Sequence, residues 1–179
     1  MSRNRLLYTL IILTVATAGY FARHSLPHSI SPSEEQISTS TLYRVIDVAD
    51  GDTIRIKLNN KEETLRLLGI NTPEVDSKYR TAQCWGKEAS KETKAKLTGA
   101  SVRIESDPSQ SLRDKYNRLL VYVSLEDGTN FNQQLVEEGF AREYTYAGAY
   151  KYQKDFKEAE EKARAAMRGL WSSDNCPQK

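Results

Sequence analysis

From residue 42 onward, apolar and polar positions alternate in short runs. Thr53-Ile54-Arg55-Ile56-Lys57-Leu58 puts Ile54, Ile56 and Leu58 on one side, the period of a strand with one buried face. Leu42 to Val48 precedes it, with Asp50-Gly51 as a tight turn between them. Asn59-Asn60-Lys61 then leads into Glu63 to Ile70, so a three-stranded meander is expected first. A helix follows over Gly86 to Leu97, ending at Gly99, with a thin apolar face of Ala89, Ala95 and Leu97. Val102 to Glu105 and Arg118 to Leu125 return to alternation, and Leu119, Val121, Val123 and Leu125 share a face. A short helix is predicted from Asn132 to Glu138, closed by Gly139. A longer one is marked by the stripe Phe156, Ala159, Ala163, Ala166 and Leu170. Its pairs Glu158 with Lys162 and Glu160 with Arg164 read as a solvated face.

Five short strands with a helix between the third and fourth is the element order of an OB-type barrel. The expected fold class is therefore α+β, mainly β: a five-stranded OB-fold barrel with three helices.

The N-terminus departs from this pattern. Arg3 and Arg5 precede the apolar run Leu6 to Val15, and Ala16-Thr17-Ala18 offers a small-x-small cleavage site, the arrangement of an export signal. Extended to Phe21 the run reaches sixteen residues, short of the roughly 20 that span a bilayer comfortably. Residues 1–18 are thus expected to be a signal peptide, with an uncleaved membrane anchor through residues 6–21 as the alternative. Ser25 to Thr41 is rich in Ser, Pro and Thr, so 19–41 reads as a flexible linker, with 42–171 as the folded domain and 172–179 as a tail. The expected location is outside the cytoplasm: secreted, periplasmic, or membrane-anchored.

Composition and charge narrow this picture. The 179 residues, 39% hydrophobic and 28% charged, suffice for one domain with a core plus an appendage. Without Arg3 and Arg5 the 26 basic residues fall to 24, equal to the 24 acidic ones. Attraction to a polyanion must therefore come from a local patch. The two cysteines, Cys84 and Cys176, could pair in an oxidising compartment or remain thiols. Neither has a second Cys or a His at zinc-ligand spacing, and both histidines, His24 and His28, are in the linker.

The chemistry concentrates in three segments. In DGDT, Asp50-Gly51 serves as a turn without any function, but Asp52 is a carboxylate on rigid backbone at the start of a strand, suited to a hard cation. In RLLGINTPE, Arg66 interrupts an apolar run, where a guanidinium is costly unless it meets a carboxylate or phosphate. Pro73 rigidifies the turn that presents Glu74, a carboxylate suited to general-base work on water beside a clamped phosphate. The insertion DPSQSLRDKYNR carries Arg113, Lys115, Tyr116 and Arg118, a basic loop able to contact phosphates or to be plain solvated charge.

DGDT, RLLGINTPE, GKEAS, DKYNR and the later GLW resemble, in order, the staphylococcal nuclease family across about Leu42 to Trp171. Members of that family are OB barrels with three helices and calcium-dependent nucleases of DNA and RNA that typically leave 3′-phosphate ends. The resemblance implies an endonuclease of little sequence specificity, and a monomer is expected. It makes Asp52 and the Thr72 carbonyl calcium ligands, Glu74 the general base, and Arg66 and Arg118 the arginines on the scissile phosphate. Lys115 and Tyr116 correspond to phosphate contacts, and Tyr144 and Tyr146 to tyrosines near the bound nucleotide, where a ring stacks on any base. Asn71 stands where the family pattern has aspartate. Its amide oxygen can still ligate calcium, but with one charge fewer, which lowers affinity or opens the site to other divalent metals. The main alternative is a catalytically inactive OB-fold module that binds nucleic acid. Such modules usually lack some of the four residues Asp52, Arg66, Glu74 and Arg118, all present here.

Overall fold

The computed structural model describes residues 37–76, 78 and 81–176. The expected signal or anchor and most of the linker lie outside them. Among the described residues, no helix is long and apolar enough to cross a membrane.

Five strands close into a barrel: β1 (Tyr43–Val48), β2 (Thr53–Leu58), β3 (Lys61–Leu67), β5 (Ser101–Glu105) and β6 (Leu119–Ser124). Their order around the barrel is β1-β2-β3-β6-β5, with β3 and β6 parallel and the other neighbours antiparallel. Helix α1 (Gly86–Leu97) lies between β3 and β5 in sequence, as the pattern predicts, followed by α2 (Phe131–Glu137) and α3 (Gln153–Ala165). Alternation sets the core: Ile54, Ile56, Leu65, Leu67, Ile104, Val121 and Val123 are fully buried inside the barrel strands. Each such side chain contributes about 1.5 to 3 kcal/mol relative to exposure.

Three expectations are corrected in detail. The predicted strand Glu63 to Ile70 starts earlier, at Lys61, and breaks after Leu67; Ile70–Asn71 form a separate short strand, β4, paired with β7 (Arg142–Glu143). The break follows from Gly69, whose φ of 77° leaves the strand region and whose missing Cβ makes room for the Tyr150 ring. The last helix stops at Ala165, because Met167 turns left-handed at φ 51°. Ala166 is therefore exposed, and Leu170 reaches a small cluster with Ala163 and Trp171 through a 3-10 turn, Gly169–Trp171. The third correction concerns α1, whose buried face is Gly86, Ala89, Ser90, Thr93 and Leu97 while Ala95 is exposed. Small polar residues fill the face, which is why it looks thin when only apolar positions are counted.

Beyond β5, Asp107 anchors Tyr122 of β6, whose ring packs with those of Tyr150, Tyr152 and Phe156. Its carboxylate accepts from the Tyr122 hydroxyl (2.7 Å), the Lys151 N–H (2.7 Å), and the N–H and hydroxyl of Ser109 (2.9 and 2.7 Å). Burial opposes its charge, yet the bonds from Lys151, Tyr122 and Ser109 outweigh it and hold the group down to about 2. Between about pH 4 and pH 2 the unfolded chain binds a proton that the folded chain does not, so this contribution is complete above the window and lost as pH falls through it. Asp107→Asn is expected to be less stable at neutral pH and to show a shallower loss across that window, read from urea unfolding at stepped pH.

Candidate active site

The strand register brings the charged residues together. Leu65 of β3 pairs with Leu119 of β6, so Arg66 and Arg118 lie one residue to either side of that pair, and Thr53 of β2 pairs with Arg66. The Leu67 N–H donates to the Asp52 carbonyl (2.9 Å), carrying the β2–β3 ladder one step past Thr53. Asp52, Arg66, Asn71, Thr72, Glu74 and Arg118 all line one cleft of about 410 Å³, and Lys115, Tyr116, Tyr144 and Tyr146 line it too.

Its inner wall is a continuous polar chain. Arg66 donates from Nη1 to the Leu67 carbonyl (2.8 Å) and from Nη2 to Asn71 Oδ1 (3.0 Å), and Nη2 is also 3.0 Å from Asp52 Oδ2. This answers the cost of a guanidinium in an apolar strand, since its charge faces a buried carboxylate. Asp52 Oδ2 also accepts from the Thr72 N–H (2.9 Å), and its Oδ1 accepts from the Thr53 hydroxyl (3.2 Å). That hydroxyl in turn accepts from Arg118 Nη1 at 3.3 Å, so one network runs from Arg118 to Asn71.

Four further residues shape this wall, and reading the sequence did not single them out. Asp114 accepts from Arg118 Nε (2.7 Å) and from the backbone N–H groups of Tyr116 and Arg118 (2.9 and 3.0 Å). Burial alone would raise its pKa, but the Arg118 N–H, the Arg118 guanidinium and the Tyr116 N–H hold it below the usual carboxylate range. Its place four residues before Arg118 was the available signal. Asp50 also lines the cleft, and burial together with the neighbouring Asp52 charge raises its pKa. Thr53 links Asp52 to Arg118. Thr93, on α1, donates to the Gly51 carbonyl (2.8 Å) and so secures the DGDT turn from 42 residues away. Gly51 itself is required for space, since a Cβ there would lie 2.7 Å from the Thr72 side chain.

The basic loop divides. Arg113 lines the cleft with its charge already engaged: it forks onto Glu63 of β3 (2.6 and 3.2 Å) and donates to the Asn117 carbonyl (2.8 Å). Lys115 and Arg118 remain beside Tyr116, at 5.1 and 5.4 Å from its ring centre. Tyr116 and Tyr146 are largely exposed, and the Tyr144 and Tyr146 rings are 6.2 Å apart. Cys84 and Cys176 are joined by a disulfide, their Cα atoms 5.8 Å apart.

Whether these residues fit a divalent cation can be judged from the convergence of oxygens. Asp52 Oδ2 and Asn71 Oδ1 both lie 3.0 Å from a single guanidinium nitrogen, so they already point at one centre of positive charge. The donors are all oxygen, which suits a hard cation. Among the described residues there is no group of three His, Cys, Asp or Glu positioned for a metal, so amide and backbone oxygens would have to complete the set.

Fold and site together define an OB-type barrel with a cleft that pairs two arginines with buried and half-buried carboxylates. The chain belongs to the staphylococcal nuclease family: the family described as "Staphylococcal nuclease homologue" matches residues 64–173. A thermonuclease of Staphylococcus hyicus is 40% identical over 131 residues, which cover 73% of this chain and 76% of that protein. A thermonuclease of Staphylococcus intermedius is 40% identical over 129 residues, 72% and 75% of the two chains. Endonuclease YncB of Bacillus subtilis is 36% identical over 147 residues, covering 82% of this chain and 66% of that protein.

Proposed function

We propose that the protein is an exported, calcium-dependent endonuclease that hydrolyses DNA and RNA with little sequence specificity and leaves 3′-phosphate ends. The observation that carries this reading is the joint placement of Arg66, Arg118 and Glu74 around one cleft beside the oxygens of Asp52 and Asn71. The relatives' names, thermonuclease and endonuclease, support the same chemistry. An exported protein is also the usual setting for the disulfide. The run at residues 6–21 supplies the signal or the anchor.

In this reading Arg66 and Arg118 bind the scissile phosphate and compensate the charge that builds at phosphorus, a preorganised contribution that needs no rearrangement of solvent. Asp114 holds the Arg118 guanidinium in place by its Nε (2.7 Å), and Thr53 meets one of its terminal nitrogens. Glu74 accepts a proton from the attacking water. Asp52, Asn71 and the Thr72 carbonyl would hold calcium, which when bound supplies positive charge to a phosphate oxygen. Lys115 and Tyr116 contact neighbouring phosphates, and Tyr144 and Tyr146 offer ring faces on which bases stack without regard to identity.

Digestion of single-stranded DNA, duplex DNA and RNA tests the substrate range, and product ends test the chemistry. Fragments are expected to resist polymerase extension until treated with phosphatase; fragments extended directly would contradict the 3′-phosphate assignment. Binding without cleavage under every condition would favour an inactive module. Asn71→Asp preserves the acceptor for Arg66 and adds a charge. It is expected to tighten calcium by about tenfold, about 1.4 kcal/mol, by titration calorimetry; an unchanged affinity would remove residue 71 from the ligand set.

A further inference from the structure

Glu74 sits in an irregular segment, yet both polar groups of its main chain are taken by one distant residue. The Gln83 N–H donates to the Glu74 carbonyl (2.9 Å), and the Glu74 N–H donates to Gln83 Oε1 (3.0 Å). Such a two-point clamp replaces the ladder that the segment lacks. It uses a side-chain amide where a strand would use backbone.

The clamp is itself tied down on three sides. Gly86 opens α1 directly beneath Glu74, where a Cβ would stand 2.3 Å from the Glu74 carbonyl oxygen. Trp85 takes the left-handed conformation (φ 70°), packs on the cluster of Ala163, Leu170 and Trp171, and stacks on Phe140 at 6.4 Å. Cys84 is bonded to Cys176. Gln83 therefore stands at the edge of a rigid block made of the start of α1 and the C-terminal segment. The same helix holds the Asp52 turn through Thr93 and Gly51 (2.8 Å), so α1 references both acid-bearing segments to one element.

We infer that Gln83 is a positioning residue that fixes the Glu74 main chain, and through it the carboxylate, against the α1 block. The inference rests on the general-base reading of Glu74. A base must meet its water within hydrogen-bond reach, and a displacement of about 1 Å can cost up to about a hundredfold in rate. The clamp acts on the base and leaves Arg66 and Arg118 alone, so its loss belongs in kcat and not in KM.

The test is steady-state cleavage of a defined oligonucleotide by the full chain in calcium, with Gln83→Ala, Gln83→Glu, Glu74→Ala and the Gln83→Ala/Glu74→Ala double variant. Gln83→Ala is expected to lower kcat by about tenfold with KM within about twofold. Gln83→Glu keeps the acceptor oxygen for the Glu74 N–H and is expected to restore kcat to within about threefold of the parent. In the Glu74→Ala background, Gln83→Ala should cost nothing more, because the residue it positions is gone. An unchanged kcat in Gln83→Ala, or an equal tenfold loss in both backgrounds, would overturn the positioning role. Near-parental activity of Glu74→Ala would instead overturn the base assignment, and the inference with it.

Discussion

Glu74→Gln is expected to lower kcat by about 100- to 10,000-fold, the range that a positioned general base contributes. Arg118→Ala is expected to lose about 100- to 1,000-fold, the range for a single group that stabilises transition-state charge. Both variants should remain folded. Glu74 is half-buried on a loop and outside the barrel core. Loss of the Arg118 guanidinium leaves Asp114 with its bonds from the Tyr116 and residue-118 N–H groups, which keep the loop closed. Arg118→Lys separates charge from geometry: lysine restores the charge but not the planar donors that meet Asp114 and Thr53, so most of the loss should persist. Steady-state rates beside thermal melts decide the matter, and near-native activity in either of the first two variants would remove that residue from the mechanism.

The second large effect is on stability. The disulfide joins residues 92 apart in sequence, and loop-closure entropy at that span amounts to about 4 to 5 kcal/mol. Cys84→Ser with Cys176→Ser is expected to lower Tm by roughly 8 to 20 °C. The C-terminal segment has other holds: the Leu170 N–H donates to the Gly139 carbonyl (2.9 Å), and Trp171 lies between Arg142 and Arg164, 4.5 and 3.8 Å from its ring. These should survive, so the double variant folds and the loss is read as a shift of one cooperative transition. A Tm within about 2 °C of the parent would mean that the reduced, unfolded chain is already restrained.

The barrel was legible because its determinants are local. Ile54, Ile56 and Leu58 alternate on one strand, and the next turn announces itself in Asn59-Asn60, both left-handed in the structure. The candidate site was read for a different reason: Asp52, Arg66, Glu74 and Arg118 sit in compact motifs whose order matches a family, and the fold brings all four to one cleft. What escaped was set by contacts distant in sequence. Glu63 to Ile70 reads as one strand, and the break after Leu67 depends on Gly69 making way for Tyr150, and on the Asn132 amide catching the Leu68 and Val121 carbonyls (2.9 and 3.2 Å). Nothing near Thr93 in sequence marks its role on α1, because its partner, Gly51, is 42 residues away. Asp114 and Gln83 escaped for another reason: their partners Arg118 and Glu74 are four and nine residues away, but both hold candidate site residues through backbone groups, which no side-chain pattern marks.

The convergence of Asp52 and Asn71 on Arg66 has a chemical consequence. The oxygens proposed for calcium are engaged by a guanidinium, so ion binding must compete with that pair, and phosphate binding by Arg66 relieves it. Metal and substrate are then expected to strengthen each other's binding, because each removes a competitor of the other.

Central to this account is metal-assisted cleavage in the cleft that holds Arg66, Glu74 and Arg118. The most direct measurement is the rate at which the purified protein cuts an end-labelled oligonucleotide in calcium, after chelation, and after calcium is restored. Cleavage that stops on chelation and returns with calcium is the predicted result. Cleavage that continues at full rate in excess chelator would contradict it.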